Sequence, residues 1–543
     1  FAQFTIAGPV SYIEIEYNNL DEEYGNHAIR IGDIELTTIP EEPLTGNDDT
    51  INGDAGADLI YGQGGNDTID GGADSDSIYG GIGNDSISDS GTTSDYIEGN
   101  AGDDTISAGG GADTVYGGIG ADYLDGEGGN DTIYGGADND VVIGGAGNDS
   151  LEGGTGDDGI YASSGDNIAK GGIGNDSIFM GTGNDSIFGG DGNDALYGGA
   201  GNDTIDGNAG DDRLEGGDGA DILTGGTGND SVIGGQGSDQ IILGEGFGTD
   251  TIDGTDDAGN TDVDVLDASA MTSNITLDLS GADPEAGTLT DGANTATFDN
   301  IETVALGAGD DSVIGSTGDD SVTAGAGNDV IDSGSGADLI QGGSGDDTIV
   351  LNDTFGNNAI TGGETGETIG DNIDGSGLTQ DVTVTFTGSE AGTITNGTDT
   401  ATFSEIEQIE TGAGNDTITG AAGDQDVITG AGDDTVTTTG TGADTISTGA
   451  GNDTITFSEA DSIDGGTGDD TFTFEDLGEA TNGTITIVGG SGGETPDDAD
   501  PNTLEGDTLN LGFDADMSTL NITSTTVNAD GNTSYDGTVQ MDD

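Results

Sequence analysis

Between Gly53 and Ile242 an apolar residue returns at every ninth position, set between polar neighbours and preceded by glycine, as in GGAGNDTID from Gly198 to Asp206. In that register the stretch holds twenty-one units and one extra residue near Thr93. Nineteen units carry Asp at the sixth place and Ile, Leu or Val at the eighth. One unit, lengthened to Asp89–Glu98, recovers the pattern with Asp95 and Ile97. Another, Ala162 to Lys170, reads two ways: Asn167 and Ala169 take the key places, or Asp166 and Ile168 do after a one-residue slip. A fixed period of this kind predicts stacked repeats. Side chains alternate faces along a strand, so a three-residue strand beginning at the Asp turns the sixth and eighth residues inward and the seventh and ninth outward. Glycine supplies the tight turn. Asn or Asp at the fifth place (Asn66, Asn130, Asn202) is expected to use the left-handed backbone that these residues tolerate.

One apolar side chain per nine residues is a thin core, since ordering each backbone costs about 1 kcal/mol or more. The turn side of each unit instead gathers carboxylate and carbonyl oxygens, with no sulfur or imidazole, a donor set that selects calcium over zinc or copper. The pattern GGxGxDxUx resembles the calcium-binding nonapeptide repeat of the RTX (repeats-in-toxin) family. The resemblance implies an all-β chain in which two units make one turn of a right-handed parallel β-roll, a β-solenoid, with calcium held between turns by Asp carboxylates and turn carbonyls. The long tract would then have about ten turns and extend about 50 Å at the usual strand spacing.

The ligands implied in that tract are Asp58, Asp67, Asp76, Asp85, Asp95, Asp104, Asp113, Asp122, Asp131, Asp140, Asp149, Asp158, Asp176, Asp185, Asp194, Asp203, Asp212, Asp221, Asp230 and Asp239. A degenerate first unit, Leu44 to Asn52, places Asp49 and Ile51 at the key positions. Shorter tracts follow. Residues 306–350 offer Asp311, Asp320, Asp329, Asp338 and Asp347, and residues 411–474 offer Asp416, Asp434, Asp444, Asp453 and Asp470, with slips near Gln425, Thr438 and Ser458. Ninth-place aromatics, Tyr61, Tyr79, Tyr116, Tyr134, Tyr161, Phe179, Phe188 and Tyr197, are expected to cover the outer sheet surface, where aromatic side chains pack well.

The intervening segments read differently. Residues 1–43 alternate apolar and polar residues in two or three strands, the end of a β-sandwich or an N-terminal cap, and contain His27 and Arg30. Residues 44–243 form the long roll. Residues 244–305 read as a β spacer of four or five short strands, repeated at 351–410 with a shift of 105 that takes Phe298 to Phe403 and Asp311 to Asp416. Residues 475–543 read as a linker and a third, truncated spacer, which suggests a portion of a longer protein.

Composition narrows the partners. Lys and Arg number 3 against 109 Asp and Glu, a formal charge of −106. Nucleic acid and anionic membranes need basic surface, so neither is an electrostatic partner, and no apolar run is long enough to cross a bilayer as a helix. A metal-free chain this acidic, with 30% hydrophobic residues, repels itself and expands. About 25 calcium ions would offset about 50 charges.

There is no Cys, one His and one Lys, Lys170, which leaves little for nucleophilic or acid–base chemistry. The chain therefore reads as a calcium-dependent structural or adhesive protein rather than an enzyme: a surface layer, fibre, matrix component or adhesin. The alternative is the repeat region of a larger secreted enzyme, toxin or self-processing protein. By resemblance, such proteins leave Gram-negative bacteria by type I secretion and fold outside the cell on meeting calcium. Self-assembly and a glycan or cell-surface ligand are the candidate further partners.

Overall fold

A computed structural model describes residues 46–474, apart from 256–261, 282, 284, 364, 367, 439–441 and 459–460, together with short strands at 484–488, 508–511, 526–527, 533–534 and 536–540. The strands expected in residues 1–43, with His27 and Arg30, lie outside the described residues, as does most of the third spacer. Among the described residues every regular element is a strand, and no helix is long and apolar enough to cross a membrane. The chain divides into two compact units, Phe1–Leu266 and Asp267–Asp543.

In the first unit most strands pair in parallel with the strand 18 residues further on, so two nonapeptides complete one turn, and the step lengthens to 20 at the end, where Ser231 pairs with Thr251. Thr68–Asp70 pairs with Ser86–Ser88 in one sheet, while Leu59–Gly64 pairs with Ser77–Ile82 in the other. The unit lengthened to Asp89–Glu98 stretches one step to 19, taking Ser77 to Tyr96, and the register resumes. The eighth-place residues, Ile69, Ile78, Ile87, Ile97 and their successors, are fully or almost fully buried between the sheets. The sixth-place Asp does not begin the strand. It stands one residue before it, as Asp67 does before Thr68–Asp70, where its side chain still turns inward.

The unit 162–170 does not slip. Asn167 and Ala169 are buried and Ile168 is 46% exposed, because Ala169 stays in register with Leu151 and Ile187. The fifth-place residues are not left-handed. Positive φ falls at the second and fourth places, as at Gly81 (φ 121) and Gly83 (φ 127), and the non-glycine residues of the long roll with positive φ occupy the same two places, Gln63 and Asn100 the second, Asp74 and Asp138 the fourth. The fifth-place side chain instead accepts the amide one turn later. Asn84 N donates to Asn66 Oδ1 at 2.9 Å, and Asp103 N to Asn84 Oδ1 at 3.1 Å.

The aromatic residues divide into two stripes. Tyr61 and Tyr79 stack at 4.9 Å, and the line continues through Tyr96 and Tyr116 to Tyr134. Tyr161, Phe179 and Tyr197 stack on the opposite sheet. Phe188 belongs to neither, lying in the sheet of the first stripe between Lys170 and Asp206.

In the second unit the parallel ladder recurs from Ser312–Ile314 through Val330–Asp332 to Thr348–Val350. The residues read as spacers add antiparallel excursions. Gly287–Thr290 pairs with Thr295–Asp299, and 105 residues later Gly392–Thr395 pairs with Thr400–Ser404. Each hairpin is closed the same way: a β-carbon on Gly287 would meet the Phe298 ring at 2.6 Å, and one on Gly392 the Phe403 ring at 2.6 Å. The ladder also runs through these segments, since Thr276–Asp278 and Asn372–Asp374 pair in parallel with Ser312–Ile314 and Thr348–Val350.

Candidate metal centre

The inward Asp side chains form two columns. In one, the amide of each Asp donates to Oδ1 of the Asp one turn later: Asp67 to Asp85, Asp85 to Asp104 and Asp104 to Asp122, each at 2.8 Å. The other column runs from Asp58 through Asp76, Asp95, Asp113, Asp131 and Asp149 to Asn167, then on through Asp185, Asp203 and Asp221 to Asp239. Oδ1 is thus committed to the backbone, and Oδ2 is not. At every predicted Asp from Asp58 to Asp239 it is a buried oxygen without a hydrogen-bond partner.

The first glycine of each unit explains what Oδ2 faces. A β-carbon on Gly117 would lie 2.3 Å from Asp122 Oδ2 and 2.6 Å from the Gly135 carbonyl oxygen. On Gly207 it would lie 2.5 Å from both Asp212 Oδ2 and the Gly225 carbonyl oxygen. Most such glycines leave a cradle walled by a carboxylate oxygen and a carbonyl of the next turn, an all-oxygen lining of the kind a hard cation takes, although Asp89, Ala108, Ala162 and Met180 stand at the first place of their units. These residues fit a hard divalent cation.

Charge points the same way. Burial pushes Asp104, Asp113, Asp140 and Asp212 up to about 7 against the opposing pull of the backbone amide, with neighbouring carboxylates adding to the rise. Desolvated anions stacked on one another favour a proton or a cation beside them.

Some rungs depart from this. At Asn167 the column bond from Asp149 is kept, but Nδ2 donates to the Gly165 carbonyl at 2.9 Å, so an amide NH2 satisfies the turn. Gln425 does the same, donating through Nε2 to Gly423 at 2.6 Å. In residues 306–350, Asp311, Asp329, Asp338 and Asp347 keep the buried, unpartnered Oδ2, whereas both oxygens of Asp320 are taken by Ser316. In residues 411–474 the first glycine is kept at Gly420 and Gly465, while buried Thr411, Thr429, Thr438, Thr448 and Ser458 stand at the other first places. The Thr429 hydroxyl donates to Asp434 Oδ2, and those of Thr411 and Thr448 reach the carbonyls of Thr429 and Gly465 at 3.1 Å. Asp416, Asp434, Asp444, Asp453 and Asp470 are buried at the expected places, and Oδ2 of Asp416, Asp444 and Asp453 is again without a hydrogen-bond partner, but a hydroxyl-bearing side chain stands at most of the first places that hold glycine in the longer tract. This tract fits an ion less well.

Four inward carboxylates escaped the nonapeptide pattern. Asp250 and Asp264 accept the amides of Asp230 and Asp239, Asp371 that of Asp347 and Asp461 that of Asp444. They follow their predecessors by 20, 25, 24 and 17 residues rather than 18. Each nevertheless precedes Ile or Leu by two, a signal visible without the glycines. A fifth, Asp89, occupies a first-glycine place. With Asp76 and Asp95 it forms a buried group whose carboxylate oxygens lie within 4.8 Å of one another.

Parallel strands stacked every 18 residues around paired columns of inward carboxylates define a calcium-binding β-solenoid. The family described as the RTX calcium-binding nonapeptide repeat (4 copies) matches within residues 45–250, 306–353, 403–436 and 438–475, more than half of the chain. The chain belongs to this family. No curated protein matches it. Among solved structures it is similar to a hyperactive, Ca2+-dependent, β-helical antifreeze protein from an Antarctic bacterium, with 18% identity over 69% of this chain and 80% of that one and a TM-score of 0.19.

Proposed function

We propose that this chain is a secreted structural protein whose long roll folds on calcium outside the cell. The carboxylates from Asp58 to Asp239, and those of Asp311, Asp329, Asp338 and Asp347, hold the ions together with carbonyls of the first-place glycines. Calcium supplies positive charge between rungs that would otherwise stack desolvated anions. The protein's part is to fix Oδ1 on the backbone so that Oδ2 stays aimed at the cradle. The observation that carries this reading is the run of buried, unpartnered Oδ2 atoms from Asp58 to Asp239, interrupted at Asn167.

Low calcium inside the producing cell keeps the chain extended for export, and millimolar calcium outside folds it, within the affinity range of extracellular modules. A solenoid of this length, with its inward Asp engaged in the ladder, serves as a surface layer, fibre, matrix or adhesin scaffold rather than as a catalyst. Calorimetric counting of bound calcium, paired with circular dichroism, tests it. About one ion per long-tract rung and a calcium-driven gain of β signal are expected, while a spectrum indifferent to chelator overturns the reading.

A further inference from the structure

Asp89 stands where the rungs of its sheet otherwise have a small residue, Gly71 before it and Ala108 and then Gly126 after it, and its side chain changes the cradle next to it. A β-carbon on Gly71 would lie 2.4 Å from Asp89 Oδ2 and 3.1 Å from Asp76 Oδ2. At Gly62, Gly117 and Gly135 the corresponding atom one turn on is a neutral carbonyl oxygen. Asp89 therefore puts a second carboxylate where other rungs present a dipole. Its Oδ1 is fixed by the Gly91 amide at 2.6 Å, and its Oδ2 is buried without a partner, as are those of Asp76 and Asp95. Like charges this close favour a proton or a cation between them, and in oxygen sites the number of carboxylates tunes cation affinity.

We infer that Asp76, Asp89 and Asp95 form a three-carboxylate site for a hard multivalent cation, which takes calcium at lower free concentration than the two-carboxylate rungs and so seeds the column. The inference rests on the proposed calcium role of the roll. Its test is calcium titration of the full chain by equilibrium dialysis, repeated with terbium and read by emission sensitised through Tyr79 and Tyr96. Wild type is expected to bind one ion ahead of the rest. Asp89→Gly, which gives the residue found at Gly71 and Gly126, should weaken that first ion about tenfold or more and leave the later ions in place. Asp89→Asn, which keeps the acceptor for Gly91, should do the same if the glycine variant folds poorly. Identical low-calcium binding in wild type and both variants overturns the inference and leaves the calcium role standing. A wild type that binds no calcium overturns both.

A separate observation carries a second inference. Thr411, Thr429 and Thr448 line one column 18 and 19 residues apart, and their hydroxyls bond oxygens that in the long tract face a cradle. The geometry points to a tract, 411–474, in which these hydroxyls take the turn carbonyls, and at Asp434 the carboxylate, that a cation would otherwise hold, so that it keeps its ladder in chelator although Oδ2 of Asp416, Asp444 and Asp453 stays unpartnered. Hydrogen exchange on the full chain reads both tracts at once. In chelator, protection is expected to persist in 411–474 and vanish in 53–242. The joint replacement Thr411→Gly, Thr429→Gly and Thr448→Gly should make protection of 411–474 calcium-dependent. Equal loss of protection in both tracts overturns this inference, whereas protection of both without calcium overturns the calcium role.

Discussion

The backbone amide of Asp67 donates to Oδ1 of Asp85, 2.8 Å away and one full turn along the roll. A single side chain thus has two tasks: one oxygen pairs a buried amide of the preceding turn, and the other faces the cradle. The two tasks separate under mutation.

Asp85→Asn keeps the acceptor for the Asp67 amide, as Asn167 does for Asp149, and removes the charge. It is expected to fold in calcium with one ion fewer. Asp85→Ala also orphans the amide and should cost about 1 to 3 kcal/mol beyond the asparagine variant. Calcium counting and thermal melts on both variants check this, and equal melting of the two would contradict the division of labour. Distant rungs, such as that at Asp329, should be untouched, because repeat stability is a nearest-neighbour property.

Glycines at adjacent positions do different work. Gly118 has φ +119, and a β-carbon there would lie 2.1 Å from the Asn100 carbonyl oxygen, so Gly118→Ala strains the backbone and should destabilise the roll by about 1 kcal/mol or more. Gly117 is not left-handed, and its β-carbon would enter the cradle instead. Ala108 already stands at such a place. Gly117→Ala is therefore expected to weaken calcium binding with less effect on the β spectrum. Titration and circular dichroism distinguish the two, and the reverse ranking would refute the assignment.

Without calcium the pH dependence has a definite sign. Burial raises Asp104, Asp113 and Asp140 from 3.8 to about 7, and Asp122 and Asp131 to about 6. A group whose folded pKa is raised contributes stability that is complete below its unfolded value and is lost as pH rises through the folded one. In chelator, β signal should thus be greatest near pH 4 and decline between about pH 4 and 7. With calcium the carboxylates must be ionised to bind, and the bound cation lowers their pKa values below those of the metal-free chain, so acidification should release the ions at a pH below that window, lower still as calcium rises. A chelated chain that gains β signal as pH rises would contradict the buried columns.

Removing calcium should also expand the chain. With a formal charge of −106 and a thin core, the hydrodynamic radius measured by light scattering should rise on chelation and fall again when calcium returns. A radius independent of calcium would be incompatible with folding driven by the metal.

The long tract was legible because period and chemistry coincide: Asp at the sixth place and Ile at the eighth are fixed by the two-residue alternation of a strand. What escaped was set by atoms one turn away. Asp89 enters the sequence pattern only as the start of the lengthened unit, and the stacking of Gly71 beneath it is what brings it to Asp76. Asp250 and Asp371 keep the local Asp-x-Ile signature but follow longer loops, so their register depends on partners across the ladder. Asn66 was assigned to the turn for its conformational tolerance, whereas its side chain serves as an acceptor for Asn84. Thr411, Thr429 and Thr448 recur 18 and 19 residues apart, but what they do is set by atoms the period does not name, Asp434 Oδ2 and the carbonyls of the next turn.

Because partners lie 18 residues apart while the motif repeats every nine, consecutive motifs belong to opposite walls. Three nonapeptides separate Tyr134 from Tyr161, and the aromatic stripe accordingly changes wall between them. Loss of a single motif from the gene would do more than shorten the protein: it would exchange the two exteriors for everything downstream and join unlike surfaces at the scar. Duplication or deletion in pairs leaves both exteriors continuous, so the heritable building block of this surface is the double motif.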